Sequence, residues 1–88
     1  MLEVYLKPIE VVVSFTKDGK ISPVRFRIIN ETSEYETVFI KTVTRRRQEK
    51  VGKNFIDIYT CTGVIDYSEK MFELKFENNS GEWTLYRM

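Results

Sequence analysis

The sequence predicts an all-β protein, a small antiparallel meander closed or half-closed into a barrel of roughly five to seven strands. Apolar and polar residues alternate with the period of two that is typical of strands through almost the whole chain. Polar turn residues separate these runs at intervals of roughly ten residues. The length of 88 residues suits a single β domain over residues 1–88 and leaves no room for a second core. A two-layer sandwich of the same strands is the alternative.

The N-terminal part of the chain contains two short strand patterns. Leu2–Leu6 alternates apolar and polar residues, and Pro8 interrupts any continuation. We therefore expect residues 1–8 to form an N-terminal arm or an edge strand. Ile9–Phe15 is a second strand, rich in β-branched residues. The pair Asp18–Gly19 then predicts a tight hairpin turn, because glycine adopts positive φ without strain.

The middle of the chain predicts two more strands and a basic loop. Pro23–Ile29 alternates cleanly, and Asn30–Ser33 has the composition of a turn. In Tyr35–Thr44 the apolar residues change phase, which indicates a strand with a bulge. The basic stretch Arg45–Lys53 has a single apolar residue and a glycine, so it predicts a long loop or one short helical turn.

The C-terminal third predicts an antiparallel hairpin preceded by one strand. Phe55–Cys61 has strand character, Gly63 is expected to bend the strand before Val64–Ile65, and Asp66–Glu69 turns the chain. Phe72–Phe76 is the most regular amphipathic strand, and Asn78–Gly81 returns the chain into Trp83–Tyr86. The length favours an SH3-like barrel over a sandwich of the immunoglobulin kind. The predicted core is Val11, Val13, Phe15, Val24, Phe26, Ile28, Val38, Ile40, Ile56, Ile58, Phe72, Leu74, Phe76, Trp83 and Leu85.

Several segments carry a resemblance to known proteins: Pro8–Phe15, Asp18–Lys20, Pro23–Arg27, Tyr59–Cys61, Phe72–Phe76 and Trp83–Tyr86. Through them the chain resembles small uncharacterised proteins of Clostridium-like Firmicutes. More distantly, it is similar to a short β domain of unknown function found with Y-family DNA polymerases, through the Pro23-x-x-Phe26 entry, the Tyr35-x-x-Val38 strand and Trp83. That domain has a tryptophan–arginine pair after its third strand, where this chain has Thr44 and Arg45. The resemblance implies a free-standing accessory β domain, connected with DNA-damage tolerance, and brings no catalytic residues.

Composition excludes several kinds of active site. The chain has no histidine and one cysteine, Cys61, so it has no histidine-dependent triad, no histidine or four-cysteine zinc site and no internal disulfide. We expect no cofactor and no enzymatic activity. Cys61 is predicted to be a buried, inert thiol; the alternative is a reactive thiol activated by basic neighbours. Without a long apolar run or a signal-peptide pattern, the chain is expected to be cytoplasmic and not to span a membrane.

Acidic residues on the predicted strands are expected to serve structure. Glu73 and Glu77 alternate with apolar residues, which predicts a solvated strand face and not a pair of catalytic carboxylates. Asp57 is expected to form an ion pair with Arg25 or Arg27.

The near-neutral net charge of +1 conceals a basic segment. Residues 41–53 hold six basic residues and one acid, a net charge of +5, which leaves −4 for the rest of the chain. Phosphate-binding candidates in this segment are Arg45, Arg46, Arg47, Lys50 and Lys53. The alternative is a solvated loop that keeps the protein soluble. Aromatic side chains that could stack on bases beside them, or simply pack across strands, are Tyr35, Phe39, Tyr59 and Tyr67.

The apolar run Val11, Val12 and Val13 cannot face a single core. Either the N-terminal arm or a second copy of the chain covers it, so a homodimer through sheet edges is a candidate. Two functions follow: a non-enzymatic module that binds a protein partner or itself through sheet edges, or a nucleic-acid-binding accessory domain that uses residues 41–53.

Overall fold

The computed structural model describes residues 4–29 and 32–88 and contains no helix among them. It has six strands: β1 (Val4–Phe15), β2 (Ile21–Ile29), β3 (Tyr35–Val51), β4 (Asn54–Ile65), β5 (Ser68–Glu77) and β6 (Glu82–Arg87). Neighbouring strands pair antiparallel, and β6 returns to β1, so the sheet closes into a barrel. The prediction of a small all-β antiparallel barrel is confirmed, and the architecture is consistent with an SH3-like barrel.

Strand β1 contains residues 4–6 of the first strand pattern predicted at the N-terminus and the whole of the second, Ile9–Phe15. Pro8 lies within β1 and does not interrupt it. The strand changes partner close to this residue: residues 4–9 pair with β6, and residues 10–15 pair with β2. Leu6 has a positive φ of 49°, within a register shift between Val4 and Lys7. The part of the predicted arm formed by residues 1–3 lies outside the described residues.

Strand β3 corrects the predicted loop at Arg45–Lys53. The strand runs for 17 residues to Val51, and only then does Gly52, with a φ of 62°, turn the chain. The predicted bulge is confirmed by register shifts between Ile40 and Thr42 and between Val43 and Arg45. The prediction of a loop was wrong because polar side chains of β3 bind carboxylates of β4 and β5.

The turn between β4 and β5 consists of two residues with positive φ, Asp66 at 53° and Tyr67 at 63°. Two successive positive φ values fit the right-handed twist of the flanking strands. Gly63 in β4 permits a close approach of β3, since a Cβ at this position would lie 2.6 Å from the carbonyl oxygen of Phe39. In the predicted turn at Asn30–Ser33, residues 30 and 31 lie outside the described residues.

The barrel interior is filled by one apolar cluster, in which the rings of Phe26 and Phe72 meet edge to face at 5.3 Å. Its buried members are Phe26, Val38, Tyr59, Cys61, Ile65, Phe72, Leu74 and Leu85. Five predicted core residues lie outside this cluster, and one of them, Val13, is half-buried on β1. Phe15 is 70% exposed at the end of β1, and Val24 is 37% exposed because it lies at a register shift between β1 and β2. Ile56 and Ile58 are buried on the opposite face of β4 from Tyr59 and Cys61.

The barrel splays at one end. Pairing of β2 with β3 ends at Arg25 opposite Phe39, and pairing of β1 with β6 ends at Ile9 opposite Trp83. The far end of the β1–β2 hairpin is joined to β4 by a hydrogen bond that the Tyr59 hydroxyl donates to the carbonyl oxygen of Ile21, at 3.1 Å.

Two strand segments consequently have a hydrogen-bonded strand on one side only, within the part of the chain that the structure describes. The β1 edge is residues 10–15, which pair with β2 alone. The β3 edge is residues 41–51, which pair with β4 alone.

Candidate functional site

The basic segment does not present five equivalent cations. Arg45 and Lys50 are exposed on β3, and Lys53 is exposed in the turn after it. Among the described residues no ion-pair partner is found for Arg45 or Lys53, while the Lys50 ammonium lies 5.7 Å from the ring centre of Phe55. The other two predicted phosphate ligands are engaged by buried carboxylates.

Arg46 neutralises Asp57, which is only 4% exposed. The Oδ1 atom of Asp57 accepts hydrogen bonds from Arg46 Nη2 at 3.3 Å and from Gln48 Nε2 at 3.1 Å. Its Oδ2 atom accepts one from Asn78 Nδ2 at 3.1 Å. A buried carboxylate needs such partners, because burial of an unpaired charge is costly. Arg46 is therefore part of the folded structure and not a free phosphate ligand.

Arg47 has the same role toward Glu73, which is 5% exposed and was wrongly expected to be solvated. The Oε2 atom of Glu73 accepts hydrogen bonds from Arg47 Nη1 at 3.0 Å and from Thr60 Oγ1 at 3.1 Å. Its Oε1 atom lies 3.6 Å from Arg87 Nε. The hydrogen bond to Glu73 raises the pKa of Arg47, while partial burial works in the opposite direction. The guanidinium of Arg47 is held by this carboxylate.

Cys61 lies in the core, as predicted. The thiol is fully buried, and its Sγ atom is 3.6 Å from the carbonyl oxygen of Tyr59. Burial, with a smaller contribution from the negative charge of Glu73, raises the pKa of Cys61 to about 12. Because the thiolate is the nucleophilic form, this environment favours the inert interpretation of the cysteine over the reactive one.

A second pair of arginines lies on the outside of the barrel. In β2 the side chains of Phe26 and Ile28 point inward, so Arg25 and Arg27 point outward. Phe39 pairs with Arg25 across β2 and β3, and Tyr35 lies two positions beyond the partner of Arg27. We call this surface the arginine–aromatic face; it consists of Glu10 and Val12 from β1, Arg25 and Arg27 from β2, and Tyr35, Thr37 and Phe39 from β3.

The two rings of this face are open to solvent, Tyr35 at 61% and Phe39 at 63% exposure. The guanidinium carbon of Arg27 lies 4.0 Å from the ring centre of Tyr35, and that of Arg25 lies 6.0 Å from the ring centre of Phe39. Arg27 Nη2 also forms an ion pair of 2.6 Å with Glu10 Oε2. A cavity of about 310 Å³ opens on this face beside the two arginines.

Sequence reasoning missed this arrangement. Arg25 and Arg27 were predicted as partners of Asp57, and that prediction was wrong because Asp57 binds Arg46. The alternation in β2 already placed both arginines outward; the missing information was the pairing of β2 with β3. Of the other proposed stacking residues, Tyr59 is buried, with Arg46 5.7 Å from its ring centre.

Tyr67, the last proposed stacking residue, is fully exposed in the β4–β5 turn. Within residues 4–29 and 32–88 no cation lies over its ring.

The residues predicted for self-association lie on the β1 edge. Val11 and Val13 are half-buried, and Val11 packs against the core. Val12 points outward and is 45% exposed. Beside this edge a cleft of about 560 Å³ separates β1 from the start of β6, between Val11 and Trp83. Strand alternation therefore accounts for the different exposure of Val11 and Val12 among the described residues.

Among the described residues, no group of three or more histidine, cysteine, aspartate or glutamate side chains is placed to hold a metal ion. The described part of the chain also contains no helix with the length and apolar character of a membrane span. Comparison with known proteins gave no match to a family model, to a curated protein or to a solved structure. The resemblance to Firmicute proteins and to a polymerase-associated domain therefore stays a prediction, and function is argued from the residues alone.

Proposed function

We propose that the protein is a non-enzymatic interaction module that pairs with a second copy of itself through the β1 edge. The observation that supports this proposal is a strand edge that carries no charge over residues 11–15. Residues 11–15 read Val-Val-Val-Ser-Phe, and among the described residues only β2 pairs with them. Unpaired backbone N–H and C=O groups on such an edge are a template for another strand.

The β3 edge, by contrast, has the features by which proteins prevent edge pairing. It carries Lys41, Arg45, Arg46, Arg47 and Lys50, and two register shifts interrupt its regularity. Like charges and bulges both disfavour the approach of another strand. The β1 edge carries one charge, Glu10, which is paired with Arg27, and the extra residue of its register shift, Val24, lies on β2. Association at this edge is therefore favoured over association at β3.

A symmetric pairing is the simplest use of the β1 edge. Two copies placed antiparallel would extend the β1–β2 ladder across a two-fold axis, with the same residues contributed by each copy. The exposed side chains of Val12 and Phe15, at 45% and 70%, would lose water contact in such a dimer. The cleft between β1 and β6 leaves room beside the edge.

The test is sedimentation velocity over a wide range of protein concentration. We expect wild type to shift from monomer to dimer, and Val12→Lys to remain monomeric because it places like charges against each other across the axis. The matched control is Val64→Lys, at a position 57% exposed on β4 and outside the β1 edge, which should dimerise like wild type. A wild type that stays monomeric, or a Val12→Lys variant that dimerises unchanged, contradicts the proposal.

Nucleic-acid binding by residues 41–53, with a link to DNA-damage tolerance, is the second candidate function. It is favoured by the exposure of Arg45 and Lys53 without ion-pair partners among the described residues. A triple Arg45/Arg46/Arg47→Ala variant would not test it, because loss of Arg46 and Arg47 leaves buried carboxylates unpaired. The informative variant is Arg45→Ala with Lys53→Ala, and loss of oligonucleotide binding in that variant alone would favour this candidate.

A further inference from the structure

The arginine–aromatic face has a composition that neither the β1 edge nor the basic segment explains. Tyr35 and Phe39 expose more than half of their surface, although a barrel of this size needs its large apolar side chains for the core. Two exposed rings on one face of a small protein, each beside an arginine, point to an interaction surface. The two rings belong to β3, and the cations that accompany them belong to β2.

The chemistry of this face matches that of an unpaired nucleotide chain. Bases stack on aromatic rings and on guanidinium planes, and arginine binds phosphate oxygens with two parallel hydrogen bonds. We propose that the arginine–aromatic face binds single-stranded nucleic acid, with bases stacked on Phe39 and Tyr35 and phosphates held by Arg25 and Arg27.

Charge on the face favours a polyanion. It carries Arg25 and Arg27 against a single carboxylate, Glu10, and that carboxylate is already paired with Arg27. Arg25 has no carboxylate partner among the described residues, so its guanidinium is free to bind phosphate. The cavity beside the two arginines, lined also by Val12 and Thr37, gives room for a sugar or a base edge.

Geometry favours a single strand over a duplex. In a duplex the base faces are already stacked on one another, whereas unpaired bases can stack on protein rings. Tyr35 and Phe39 are four residues apart on one strand, a separation of about 13 Å at ~3.3 Å per residue. At a stacked spacing of ~3.4 Å per nucleotide, that distance corresponds to about four steps. The face therefore fits a short site of roughly five nucleotides, at the lower end of the range for one small barrel.

The test uses fluorescence anisotropy with labelled oligothymidylate of about eight nucleotides, and with a duplex of the same length. We expect wild type to bind the single strand more tightly than the duplex. Two phosphate contacts predict that log K falls with log salt with a slope of about −1.4 for the single strand. Phe39→Leu should weaken binding roughly five- to hundred-fold, the range measured for loss of one stacked base. Phe39→Trp keeps a ring and should keep binding.

Three matched variants identify the site. Arg25→Ala should weaken binding and reduce the salt slope by about 0.7. Tyr67→Asn removes a ring that is even more exposed and over which no cation of the described residues lies. Asparagine tolerates the positive φ at this position, so the variant should bind like wild type. Arg45→Ala with Lys53→Ala should also leave binding unchanged, since those residues lie outside the face.

Several outcomes overturn this proposal: no binding by wild type, equal binding of duplex, unchanged binding by Arg25→Ala and Phe39→Leu, or loss of binding in the Arg45/Lys53 variant alone. A face that binds only a protein would give the first of these results. Dimerisation is a separate question, because Arg25→Ala and Phe39→Leu lie outside the β1 edge and should sediment like wild type.

Discussion

Two pairs of arginines on this barrel have opposite roles. Arg46 and Arg47 belong to the most basic stretch of the sequence, yet each is paired with a carboxylate that is nearly excluded from water, Asp57 or Glu73. Arg25 and Arg27 come from an ordinary amphipathic strand and lie over exposed rings. This contrast shows that an arginine is available to a ligand when no buried carboxylate binds it in the folded protein, whatever the charge density of the surrounding sequence.

We expect the two pairs of arginines to differ most in what their loss does to the free energy of unfolding. Arg47→Ala should lower the free energy of unfolding by about 3 kcal/mol, because removing one partner of a buried ion pair leaves the other uncompensated. Arg25→Ala, at an exposed position, should change it by less than about 0.5 kcal/mol. Denaturant unfolding followed by circular dichroism measures both. A variant already unfolded in buffer meets the first expectation, and equal small losses in the two variants would contradict the contrast.

The same contrast shows what sequence can predict in this chain. Period-two alternation identified the strands and placed Arg25 and Arg27 outward, because it depends only on the geometry of a single strand. It failed for residues 45–50, whose side chains are polar on both faces, so no alternation is visible. Those residues form a strand because Asp57 and Glu73 supply partners for Arg46 and Arg47.

Register is the information that a single sequence lacks. Val24 follows the inward pattern of its strand, yet it lies at an irregularity in β1–β2 pairing and is partly exposed. Likewise, Phe39 lies beside Arg25 because β2 pairs with β3, and the two residues are 14 positions apart in the chain. The sequence does not give the length of the turn between these strands, so it does not predict this pair. Core residues with ordinary hydrophobic patterns, such as Phe72 and Leu74, needed no register and were predicted correctly.

The next effect in size is a dependence of the free energy of unfolding on pH, which arises from the buried thiol of Cys61 near Glu73. The pKa of Cys61 is raised from 9.0 to about 12 in the folded protein, so the unfolded chain releases this proton at lower pH than the folded one. The stabilisation is complete below pH 9 and is lost as pH rises toward 12, by about 1.4 kcal/mol per pH unit. Between pH 8 and pH 10 wild type should therefore lose about 1.4 kcal/mol more than Cys61→Ala.

Wild type must be compared with Cys61→Ala because burial also raises the pKa of Tyr59. Tyr59 titrates in the same direction and is present in both, so most of its contribution cancels in the difference; the small part of its raised pKa that arises from Cys61 does not. Denaturant unfolding at a series of pH values gives the two profiles. Parallel profiles for wild type and Cys61→Ala would show that the thiol is accessible to water, and that the region around Glu73 is less dry than the structure indicates.

We expect the exposed ion pair between Arg27 and Glu10 to contribute least to the free energy of unfolding. Their side chains are 42% and 68% exposed, and ion pairs of this kind contribute about 0–1 kcal/mol because water and salt screen them. Glu10→Gln should lower the free energy of unfolding by no more than about 0.5 kcal/mol, and added salt should reduce that difference further. A loss comparable to that of Arg47→Ala would place Arg27 among the arginines that the fold requires. A small loss leaves Arg27 dispensable to the barrel, which is the property that a ligand-binding arginine needs.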